Sequence, residues 1–119
     1  MTVTTLRTEP PAATPDEFER LYRAWRYAKA AWDLADNDPA RPAGLSEEER
    51  DAHCETEHAA LMAFLLHPIS TAEQLARKTR IIRDEGVWGF SEAHKIFEQV
   101  ARDTRTLAFP RLAKAPSAG

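Results

Sequence analysis

The sequence predicts an all-α fold, a compact four-helix domain built around an αα-hairpin. Three observations predict it. Apolar residues recur at helical spacing in four separate stretches. Three capping boxes mark helix starts, at Thr14–Glu17, Ser46–Glu49 and Ser70–Glu73. No stretch shows the apolar–polar alternation of a half-buried strand. The expected helices span about residues 15–36, 47–67, 71–85 and 91–109.

Residues 1–13 are rich in threonine and proline and lack apolar periodicity, so they are expected to form a flexible arm. In the first helix, Pro15 suits the first helical position. Phe18, Leu21, Tyr22, Trp25, Ala28 and Trp32 form one apolar stripe, expected to be core. Arg20, Arg23 and Arg26 fan across the other side. Tyr27 and Leu34 also fall there, which makes them candidates for a homodimer face. Residues 36–44, with two prolines and a glycine, are the main loop.

The second helix opens on Glu47, Glu48 and Glu49, where the helix dipole favours acids. Cys54, His58, Leu61 and Leu65 share one stripe, flanked by Met62 and Phe64, and Cys54 is expected to be a small buried residue. The helix should stop at His67-Pro68, because proline disfavours helical geometry in the residue before it. Ser70 then starts a third helix, which sets the two side by side as a hairpin. Replacing Ser70 by alanine should therefore cost about 1 kcal/mol.

On the third helix, Ala72, Leu75, Ala76, Thr79 and Ile82 are the expected buried stripe. Arg77, Lys78, Arg80 and Ile81 fall on the far side. Gly86 stands where a left-handed C-terminal cap is expected. Trp88 is expected to fold back over the helix ends. Ser91 is the expected cap of the fourth helix, whose stripe is Ala93, Ile96, Phe97, Val100, Ala101, Thr104 and Leu107. Pro110 should end it, leaving residues 111–119 as a flexible tail beyond a single domain of residues 14–110.

The bulk properties narrow the function. With 119 residues, 43% apolar content and a net charge of −3, the chain has the profile of one ordinary globular domain. The charge has the wrong sign for a whole-domain nucleic-acid binder. A single cysteine, Cys54, excludes an intrachain disulfide and suits a reducing compartment. No apolar signal segment opens the sequence and no run is long enough to span a membrane, so a cytoplasmic location is expected.

Two chemical constellations stand out. Glu55 and His58 are spaced i, i+3, as in one half of a di-iron carboxylate site. Cys54 and His58 stand at i, i+4, a spacing that could hold zinc with further ligands from His53, Glu57 or His94. No second Glu-x-x-His follows, and the nearest substitute is His94 with Glu98. These residues are the metal candidates, yet the expectation is no metal and no cofactor. The second constellation is the basic cluster of Arg77, Lys78 and Arg80, with Arg83 beyond. Residues 71–77 look like the first helix of a helix-turn-helix, but the helix runs on too far before a glycine. No phosphate-binding glycine loop, G-x-S-x-G or H-E-x-x-H occurs, so no catalytic residue is assigned.

The segment from His58 to Lys78, with His67-Pro68-Ile69-Ser70 at its centre, resembles a loose group of small helical proteins of proteobacteria and their phages or prophages. The tryptophan- and alanine-rich stretch from Trp25 to Trp32 is similar too. The resemblance implies a mobile-element setting, but no activity and no functional residues. The expected function is a non-enzymatic protein–protein interaction module, homodimeric and cytoplasmic. The alternatives are a DNA-binding regulator using Arg77, Lys78 and Arg80, and a metal-binding protein using His58 and its neighbours. Tyr27, Leu34 and Ile81 are the interface candidates.

Overall fold

The computed structural model describes residues 14–109, with side chains from residue 17 onward. The expected N-terminal arm and C-terminal tail lie outside the described residues, and the expected Thr14 cap lies outside the described side chains. Four α-helices follow in order: α1 Thr14–Asp36, α2 Glu47–Leu65, α3 Ala72–Glu85 and α4 Ala93–Ala108. A 3-10 turn over Val87–Gly89 joins the last two, and no strand occurs among the described residues. The all-α, four-helix expectation holds. The described residues group into two compact units, residues 20–64 and residues 14–19 with 65–109.

In the first unit, α1 carries its aromatics inward at helical spacing. The Trp25 and Phe64 rings lie nearly parallel with centroids 6.4 Å apart, and Tyr22 is tilted against Phe64 at 5.5 Å. Leu61, Ala28 and Leu45 complete this buried set. Trp25 Nε1 donates to Glu57 Oε2 at 2.6 Å, which satisfies the one polar atom of a buried indole. Further along, Trp32 stacks on His53 at 6.4 Å. Residue numbers rise along α1 as they fall along α2, so the two helices run antiparallel.

The loop between them is self-bonded. Asn37 donates its backbone N–H and its Nδ2 to the Asp33 carbonyl, closing α1. Asp38 Oδ1 accepts from the Ala40 N–H as an Asx turn. The Ser46–Glu49 capping box forms as expected: Glu49 N–H donates to Ser46 Oγ at 3.1 Å, and Ser46 N–H donates to Glu49 Oε1 at 2.9 Å. Arg41 adds two bonds to the same carboxylate, at 2.9 and 2.7 Å. The Arg41 guanidinium, followed by the Ser46 N–H, holds the Glu49 carboxyl down at about 2.

In the second unit, the chain breaks where expected, although α2 ends at Leu65, two residues before His67. The cap that follows is displaced by one residue. Thr71, not Ser70, is the N-cap of α3 and accepts from the Gln74 N–H at 3.1 Å. Gln74, not Glu73, reaches back, and its Oε1 accepts from the Ser70 N–H at 2.7 Å. Both frames read as capping boxes in sequence, because Ser-Thr is followed by Glu-Gln. The expected loss of about 1 kcal/mol therefore moves to Thr71→Ala, while Ser70→Ala should lose only a few tenths. Urea unfolding of the two variants separates them. The left-handed cap at Gly86 is present, with φ 65° and ψ 42°.

Two expected faces are rotated. On α3 the buried residues are Lys78, Ile81 and Ile82, while Ala72, Ala76 and Thr79 are exposed. On α4 they are Ile96, Gln99 and Asp103, while Ala101 and Thr104 are exposed. Polar residues therefore occupy the inward stripes, and each is compensated by another. Ser91 does not cap α4, whose N-cap is Glu92 with no side-chain cap bond. Trp88 does not fold inward either. It is 65% exposed and stacks on Phe97, itself 37% exposed, at 5.2 Å. Val87 is the buried residue of that turn.

Candidate functional site

The most concentrated chemistry among the described residues is the buried cluster between α3 and α4. Lys78 is 0% exposed and Asp103 1%. Lys78 Nζ donates to Asp103 Oδ2 at 2.5 Å and to the His67 carbonyl at 2.7 Å, and Gln99 Nε2 donates to Asp103 Oδ1 at 2.9 Å. Burial pushes the Lys78 ammonium below its ordinary value, against the hydrogen bond and the charge of Asp103. Both ends of the pair are sealed from solvent. The cluster therefore fastens α3 and α4 to the segment before α3, and a ligand cannot reach it. Apolar periodicity could not reveal it; a Lys and an Asp on separate helices give no local signal.

This cluster takes Lys78 out of the expected basic face. Lys78 is buried, and Arg77 is half-buried, with Nη1 2.9 Å from Glu19 Oε2 and its guanidinium 5.9 Å from the Phe18 ring centroid. Of the three nucleic-acid candidates, Arg80 alone is exposed. Ile81 is also removed from the interface candidates, since it is buried.

The metal candidates do not converge. Cys54 and Glu55 are exposed and His58 is half-buried on α2, whose first half is polar; the expected burial of Cys54 is corrected accordingly. His94 and Glu98 are exposed on α4. Glu57 is the acceptor for Trp25, and His53 lies against Trp32. Among the described residues, no three His, Cys, Asp or Glu side chains gather into a metal-holding group. A shallow, open hollow of about 200 Å³ lies on α2 beside Glu49, Ala52, His53 and Thr56. In it the Thr56 hydroxyl donates to the Ala52 carbonyl at 2.9 Å.

The remaining candidates lie on the outer face of α1. Tyr27 is 77% exposed and Leu34 75% exposed, the two most exposed large apolar side chains among the described residues. They stand seven residues apart, two helical turns, and so share one face. Ala30 is exposed and Ala31 half-buried in the turn between them. Arg26 and Asp33 precede them on the adjoining flank and are both exposed.

No family model, curated protein or solved structure matches this sequence. No described helix is long and apolar enough to cross a membrane.

Proposed function

We propose that this chain is a non-enzymatic protein–protein interaction module that works as a homodimer. The observation that carries this reading is the exposed pair Tyr27 and Leu34 on α1. Large apolar side chains set in solvent two turns apart do no packing work within the unit, and such a face is stabilised by a partner. The polar cluster at Lys78 and Asp103 supports the reading from the other side, because this buried group is spent on holding helices together. Sedimentation velocity from low to high micromolar concentration tests it. The expected result is a reversible shift from monomer to dimer, and a monomer at every concentration would overturn the reading.

A further inference from the structure

Resting on that homodimer reading, we infer that the occupant of the α1 face is α1 of a second copy, packed antiparallel about a two-fold axis near Ala30. The argument starts from a repeat in the helix. Arg26-Tyr27 and Asp33-Leu34 are the same arrangement, a charged residue followed by a large apolar one, set seven residues apart. An ideal helix drifts only about 20° over seven residues, so Tyr27 and Leu34 share a face and Arg26 and Asp33 share the flank beside it.

The two charges have opposite sign, and this selects the direction of pairing. In a parallel, in-register pair the two-fold axis runs along the helices and sets the two Arg26–Asp33 flanks on opposite sides of the seam, so neither charge meets its opposite. In an antiparallel pair Arg26 lies against Asp33 of the second copy, and the symmetry repeats the contact at the other end. Tyr27 then packs beside Leu34 of the second copy, again twice. Ala30 and Ala31 fall at the crossing point, where small side chains let the helices approach. The flanking groups leave this pairing accessible. Asn37 bonds the backbone carbonyl of Asp33, not its carboxylate, and Arg26 stays exposed with its guanidinium 5.8 Å from the Trp25 ring centroid.

Two turns of helix form a small interface, so the dimer is a reversible micromolar one that weakens as salt screens the charge pairs. The test is a charge exchange at exposed positions, read by sedimentation with circular dichroism as the check on folding. Arg26→Asp and Asp33→Arg, each alone, should weaken self-association about tenfold or more. An equimolar mixture of the two variants should dimerise, because one copy then carries two acids and the other two bases. The double variant R26D/D33R should recover the wild-type dimer, and Tyr27→Ala with Leu34→Ala should lose it. Single variants that associate like a dimeric wild type would overturn the α1 pairing and leave the homodimer reading standing. Failure of both the mixture and the double variant to recover would overturn the antiparallel arrangement. A wild type that never dimerises would overturn both readings.

Discussion

Replacing Asp103 by alanine is expected to destabilise the protein by roughly 3–5 kcal/mol, the range for removing one partner of a buried ion pair. The loss comes from what remains. Lys78, fully buried, is left with the His67 carbonyl as its surviving acceptor, and Gln99 loses the oxygen it donates to. An uncompensated buried charge costs far more than the pair itself contributes. The double variant Lys78→Met with Asp103→Leu should therefore lie much closer to wild type than Asp103→Ala does. Urea unfolding followed by circular dichroism measures both. A loss of less than about 1 kcal/mol for Asp103→Ala would mean that water reaches Lys78 and that the cluster does not organise α3 and α4.

Phe64→Ala should cost a similar amount, roughly 3–5 kcal/mol, through lost burial and the cavity left behind. Phe64 is fully buried and meets both Tyr22 and Trp25. Emptying its place leaves two aromatic rings without their shared neighbour, and rings of that size cannot collapse into the gap without leaving their rotamers. Leu61→Ala, on the same helix and also buried, should cost roughly 2–5 kcal/mol. Thermal unfolding gives the loss. Losses of only a few tenths would place the core of this unit elsewhere.

The helix ends were legible in sequence because their causes are local. The Ser46–Glu49 box, the stop before Pro68 and the left-handed Gly86 each act within about one turn of chain. The one-residue shift of the cap to Thr71 was not legible. Two overlapping boxes differ only in whether Glu73 or Gln74 turns back, and the sequence pattern accepts both. The outward setting of Tyr27 and Leu34 was also legible, since Phe18, Trp25 and Ala28 together claim the opposite side of α1.

What the sequence by itself determined is therefore the number of helices, their limits to within about two residues, the inward face of α1 and the outward pair that the proposed dimer uses. Tertiary structure alone decided which faces of α3 and α4 turn inward. Counting apolar residues placed Lys78 on the far side of α3 and Phe97 in the buried stripe of α4. The fold reversed this because Lys78, Asp103, Gln99 and the His67 carbonyl satisfy one another across the chain, while Phe97 finds Trp88 at the surface. A charged side chain enters a core only when its partner enters with it, and that partner stands 25 residues away on another helix, beyond the reach of any local pattern.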